Sequence, residues 1–230
     1  MPLVIAIDGP SGSGKSSVSR AVAQRLDLAY LDTGAMYRAL TWWCLQQGVD
    51  LEDQPAVARA AKKLPLRMDT DANSPSVRVG GVVIDEAIRA TVISESVSKV
   101  AINLGVRAEL CDRQRALIAE SVQRTGGVVA EGRDITTVVA PDALVRILLS
   151  ANQKTRLARR ARELHGEAGQ AAVNATHDQI VRRDKDDSTV SQFMQAAPGV
   201  TAVDTSDLSL LQSVQAVLEV VRARSARRQG

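Results

Sequence analysis

Eight residues near the start of the chain have the types and spacing to do chemistry. Gly9 to Ser16 read GPSGSGKS, a Gly-x-x-x-x-Gly-Lys-Ser pattern. Glycines at 9, 12 and 14 let backbone N–H groups converge on one point, so Gly9, Pro10, Ser11, Gly12, Ser13 and Gly14 form a loop suited to wrap phosphates. Lys15 adds a mobile positive charge for the outer phosphates, and the Ser16 hydroxyl, followed by Ser17, can ligate Mg²⁺. A helix beginning here would point the positive end of its dipole at the same anion. A dinucleotide fingerprint is excluded, because Ser17 stands where a third glycine is needed.

Such a loop works only if a strand delivers it and a helix receives it. Leu3 to Ile7 is an unbroken apolar run, and Val18, Ala21, Val22 and Leu26 recur at helical spacing. Further on, the alternation continues. Ala29 to Asp32 reads as a strand, and the helix after it runs from Ala35 to about Gln47, with Thr33 expected as its cap and Gly48 as its end. Gly127 to Glu131, Leu144 to Leu149 and Gly199 to Val203 read as further strands, separated by helical patterns that include the basic run Lys154 to Leu164. Five strands alternating with helices predict an α/β fold built on a parallel sheet. The stretch 62–90 breaks the rhythm. Ser76 to Val79 and Val82 to Asp85, joined by Gly80-Gly81, read as a β-hairpin, which has no place in a parallel core and so predicts a small inserted lobe.

Composition narrows the partners. Apolar residues make up 45% and charged residues 24% of the 230, which is ordinary for a soluble globular domain. The net charge of +3 fits either a nucleic-acid binder or an enzyme that grips phosphates with arginines. Only five aromatics are present, and they are not interleaved with basic residues, so stacking platforms for single-stranded nucleic acid are missing. Cys44 and Cys111 are far apart, with no metal-like spacing, and read as reduced core thiols. No run approaches a membrane span, and no basic segment precedes a long apolar one at the start, so the expectation is a cytoplasmic protein.

Three more constellations hold phosphate-type residues. Asp32 to Arg38 (DTGAMYR) and Gly132-Arg133-Asp134 each follow a strand, where ligands of open α/β sheets bind. Arg156, Arg159 and Arg160 share one helix face and are followed by Gly166 and Gly169, which describes either a solvated basic face or a lid with arginines closing over a phosphoryl group. Arg182 to Asp187 adds cations beside carboxylates, with Arg183 and Asp187 also spaced for an intrahelical ion pair.

Taken in order, GPSGSGKSS from Gly9, DTGAMYR from Asp32, Ser98 with Arg107, RQR from Arg113, EGRD from Glu131 and RDKDDS from Arg183 resemble the bacterial cytidylate kinases of the nucleoside monophosphate kinase group, over about residues 3–225. The resemblance implies a P-loop NTPase fold in one domain, with a CMP-binding lobe at 62–97 and a lid at 154–180. It implies transfer of the γ-phosphoryl group of ATP to CMP or dCMP with Mg²⁺, by a cytoplasmic monomer with no nucleic-acid or membrane partner. By match, Gly12, Gly14, Lys15 and Ser16 hold the ATP phosphates and metal. Arg38 and Arg133 clamp the CMP phosphate, beside Thr33 and Tyr37. Ser98, Arg107 and Asp134 meet the cytosine edge, Arg183 and Asp187 the ribose, and Arg156 and Arg160 belong to the lid helix. The chain departs from the pattern at Val190, where relatives often carry an arginine directed at the nucleotide.

Overall fold

A computed structural model describes residues 2–165 and 184–226. Its centre is a five-stranded sheet in the order β2-β6-β1-β7-β8, made of β1 (Leu3–Asp8), β2 (Ala29–Asp32), β6 (Gly127–Gly132), β7 (Val145–Ser150) and β8 (Thr201–Asp204). Every pairing in it is parallel, with Ile5 opposite Val129 on one side and Val145 on the other. Strands covered on both faces must be apolar on both faces. Accordingly, Ala6, Val128 and Ala130 join one buried cluster, while Ile5, Ile7, Val129, Ile147 and Leu149 join another. The second cluster is completed by Val18 and Val22 of α1 (Lys15–Leu26) and by Val214, Val217 and Val221 of α7 (Leu210–Ala226). The first is completed by α2 (Thr33–Gln46), α3 (Gln54–Lys63), α4 (Thr91–Ala101) and α5 (Leu104–Thr125).

The hairpin expected from the paired glycines is present. β4 (Ser76–Val79) and β5 (Val82–Val83) pair antiparallel, and β3 (Leu66–Asp69) adds a third strand. Gly80 and Gly81 both have positive φ, 59° and 85°, as a two-residue turn of this twist requires. Val77, Val79, Ile84 and Ile88 place the inner side of this small sheet in the same apolar cluster as α2, so it is anchored to the main core.

Two local expectations are corrected. The cap of α2 is Asp32, whose carboxylate accepts the Ala35 N–H at 2.9 Å. Thr33 instead turns its hydroxyl to the Glu131 carbonyl, at 2.7 Å, because β6 lies beside the helix start. The last strand begins at Thr201, since Gly199 (φ 78°) lies in a turn closed by the Val200 N–H and the Ala197 carbonyl. Cys44 is buried and Cys111 half-buried, both as free thiols.

One buried carboxylate fixes the geometry after β6. Asp8, the last residue of β1, accepts the N–H groups of Ile135 and Thr136 at 2.9 and 2.8 Å and the Thr136 hydroxyl at 2.6 Å. These donors start a wide π-helical turn, Ile135–Val139, immediately after Arg133 and Asp134. Burial pushes the Asp8 carboxyl up to about 6, against the pull of the Thr136 and Ile135 donors. The carboxyl therefore holds its proton more tightly folded than unfolded. The stability it confers is complete below about pH 4 and is lost as pH rises through about 6. Asp8→Asn removes this titration. The unfolding free energy of the wild type relative to Asp8→Asn, from urea titrations, should fall by on the order of 3 kcal/mol between about pH 4 and pH 7. A flat difference would show that Asp8 does not titrate in this range.

Candidate active site

The glycine loop and the carboxyl ends of β2 and β6 open into one cleft of about 970 Å³. Ser11 to Ser17 form one part of its wall, and Thr33, Tyr37, Arg38, Arg107, Arg133, Asp134, Arg160 and Asp187 form others. Most residues expected from sequence to hold two nucleotides thus share a single cavity. Gly9, Pro10, Arg156 and Ser98 do not reach its surface. Arg183 and residues 166–180 of the expected lid lie outside the described residues.

On the loop side, Gly12 and Gly14 have φ of 76° and 85°, and Gly14 caps α1. At Gly12 a Cβ would lie 2.5 Å from the Arg156 carbonyl oxygen, so the loop packs directly on the backbone of α6 (Gln153–His165). Lys15 lies 3.7 Å from Glu131, which also accepts the Tyr30 hydroxyl at 2.8 Å. Burial and then the charge of Asp32 push the Glu131 carboxyl up, while Lys15 and the Ser16 and Tyr30 hydroxyls pull it back. The Ser16 hydroxyl is therefore in the cleft and next to a carboxylate. Arg159, on the same helix as Arg156, donates to the Ser13 carbonyl, to Thr205 and to the Leu208 carbonyl, so it ties the loop to the chain after β8.

The opposite wall is a set of guanidinium groups, each beside its own carboxylate. Arg38 donates to Asp32 at 2.8 Å. Burial pushes the Asp32 carboxyl up, but Arg38, the Ala35 N–H and Lys15 outweigh it and hold the group below the usual carboxylate range. Arg133 sits 2.8 Å from Asp187 and 3.4 Å from Asp184, with its guanidinium carbon 4.9 Å from the centre of the Phe193 ring. Arg38 retains a buried Nε–H with no hydrogen-bond partner among the described residues, whereas Nε of Arg133 faces the Asp187 carboxylate. Arg107 donates from Nη2 to Asp134 and, at 2.9 Å, to the Ser191 hydroxyl. Burial pushes the Asp134 carboxyl up, and Arg107 and Arg133 pull it only partly back. Tyr37, which lines the same corner, is held above its ordinary range, first by burial and then by the charge of Asp134.

Several participants were not singled out from sequence. Asp184 is 6% exposed and meets three elements at once. It accepts the Ser11 N–H at 3.4 Å, pairs with Arg133, and takes a charge-assisted bond from Arg156. In the sequence it is one acid in a run of mixed charge, and nothing local marks it as buried. Ser191 follows Val190, and its hydroxyl accepts from Arg107 on the cleft wall. In the RQR motif, Arg113 caps the carbonyl end of α3 at Ala61 and Leu64, and Arg115 binds the Val138 and Val139 carbonyls, so both arginines there are structural.

A glycine loop and a second cluster of cations sharing one cleft, at the carboxyl ends of a parallel sheet, define a P-loop phosphotransferase. The chain belongs to the cytidylate kinase family: the family model described as cytidylate kinase matches residues 5–223. A cytidylate kinase of Cutibacterium acnes is 49% identical over 221 residues, covering 96% of each chain. Those of Rhodococcus jostii and Streptomyces avermitilis are 44% and 41% identical over 225 residues, covering 97% of this chain and 96% and 94% of their own. Among the described residues, no helix is long and apolar enough to cross a membrane.

Removing Asp184 takes away the carboxylate paired with buried Arg156 and one of the two beside Arg133. Asp184→Ala should lower the unfolding free energy by about 3–5 kcal/mol, measured by urea denaturation. A loss under about 1 kcal/mol would show that the Arg156 and Arg133 pairings contribute little to the fold.

Proposed function

We propose that this chain transfers the γ-phosphoryl group of ATP to CMP, and to dCMP, forming CDP or dCDP as a cytoplasmic monomer. The observation that carries this reading is the pair Arg38 and Arg133. Both line the cleft that holds the glycine loop, and Arg38 keeps a buried Nε–H that no described residue accepts. A phosphate dianion satisfies such donors, and two arginines outside the loop imply a second phosphate-bearing ligand.

On this reading Gly12 to Ser16 cradle the triphosphate, and Lys15 leaves Glu131 to follow its outer phosphates. Mg²⁺ fits the donor set. Among the described residues no group of three or more metal-ligating side chains is gathered. The protein would offer the Ser16 hydroxyl, and phosphate oxygens and water would complete the shell, as Mg²⁺ prefers. When bound, the ion supplies neutralising charge on the donor phosphates. Arg38 and Arg133 aim the acceptor phosphate, and Arg160, on the wall formed by α6, adds charge near the transferring group. No general base is needed, because the nucleophile is already an anionic phosphate oxygen. Consistent with this, Asp32 and Asp134 are occupied by arginines.

The base fits the corner formed by Asp134 and Arg107. Cytosine offers an amino donor beside a ring nitrogen and a carbonyl that both accept. A carboxylate accepts from the first and a guanidinium donates to the others. Asp187 and Arg183 would hold the ribose. The lobe at 62–97 contributes Met68, Ser76, Val77, Ile88 and Arg89 to the cleft wall and would close over the acceptor.

Lys15→Ala and Arg38→Ala should each remove on the order of 2–4 kcal/mol of transition-state stabilisation, read as kcat/KM in an ADP-release assay with CMP. The same assay across CMP, dCMP, UMP and AMP should rank the cytidine nucleotides first. Equal or faster turnover of UMP or AMP would overturn the assignment of the acceptor.

A further inference from the structure

The corner that would hold the acceptor base contains a hydroxyl with a specific electrostatic task. Arg107 Nη2 carries two protons, and each has an acceptor: Asp134 takes one, and Ser191 Oγ takes the other at 2.9 Å. A third bond, from Nη1 to the Ala101 carbonyl at 3.3 Å, completes the anchoring of the guanidinium plane. Arg107, Asp134 and Ser191 all lie on the cleft wall.

We propose that Ser191 is a specificity-determining residue, which sets the preference for cytosine over uracil by occupying the Arg107 proton that would otherwise meet the uracil carbonyl. This rests on the reading above, in which a cytidine monophosphate is the acceptor. Cytosine presents an amino group where uracil presents a carbonyl oxygen, so discrimination at that atom depends on offering acceptors and withholding donors. Asp134 offers an acceptor. Arg107, immediately beside it, is a group with five donor hydrogens and so the neighbour most able to spoil the selection. With both Nη2 protons engaged, uracil at this corner faces the Asp134 carboxylate with no nearby Nη2 donor to compensate. If Ser191 loses its hydroxyl, one Nη2 proton is released next to Asp134, and the guanidinium is held by two bonds instead of three. The freed N–H can then bond the uracil oxygen. At the same time Arg107 is less firmly aimed at the acceptor atoms of cytosine. Ser191 acts here on the base and leaves the loop side untouched, since the residues it links belong to the opposite wall.

The test is steady-state kinetics of the full chain with CMP and with UMP, for the wild type, Ser191→Ala and Ser191→Thr. In Ser191→Ala the ratio of kcat/KM for CMP to that for UMP should fall about 5- to 10-fold, the scale of one hydrogen bond. KM for ATP should stay within about twofold of the wild type. Ser191→Thr keeps the hydroxyl and should restore the ratio to within about twofold. An unchanged ratio in Ser191→Ala would overturn the role of Ser191. So would a reduced ratio that Ser191→Thr fails to restore, because the effect would then come from packing and not from the hydroxyl. A wild type that does not prefer CMP would instead overturn the functional reading on which this inference stands.

Discussion

The site depends on one constraint: positive charges crowded into a buried cleft must each be neutralised before any ligand arrives. Asp184 meets the severest part of it, joining the loop N–H of Ser11, Arg133 of the cleft wall and Arg156 of α6 through one carboxylate. The same logic repeats around the cavity, with Lys15 beside Glu131, Arg38 beside Asp32, Arg107 beside Asp134, and Arg133 also beside Asp187. Desolvated guanidinium groups without such partners would be a heavy penalty. The array therefore lets an anion site exist inside a stable fold. It also explains how phosphate enters, since a dianion can share or replace carboxylates already in position and meet a framework that is already oriented.

The sheet and the loop were legible because both are written in local pattern. The unbroken apolar runs of β1 and β6 suit strands covered on both faces, and the Gly9 to Ser16 spacing has few readings other than a phosphate cradle. The β4–β5 hairpin was equally plain, since Gly80-Gly81 is a turn signal that acts over four residues. The arginines at 38, 107 and 133 were legible through their place after strands or within a family pattern.

What stayed hidden depends on distance along the chain. Asp184 and Ser11 are separated by 173 positions, and Ser191 and Arg107 by 84, so no periodicity links them. Asp184 sits in a run whose mixed charge resembles a solvated helix, and Ser191 in the uncharged stretch just after it. Ser98, which the family pattern assigns to the base, is buried in α4 next to Val97 and close to Ser94 and Ala101, which line the cleft. The α2 cap was misjudged by one residue, since Asp32 and Thr33 both can cap, and only the presence of β6 alongside decides which of them turns away.

The missing side chain at Gly12 has a mechanical consequence. With its backbone set directly against that of Arg156, and with Arg159 bonded to Ser13, Thr205 and Leu208, the root of α6 is fastened to the glycine loop. Arg160, the next residue along the helix, lines the cleft, so its charge is presented to the ligand from a base locked in register with the cradle.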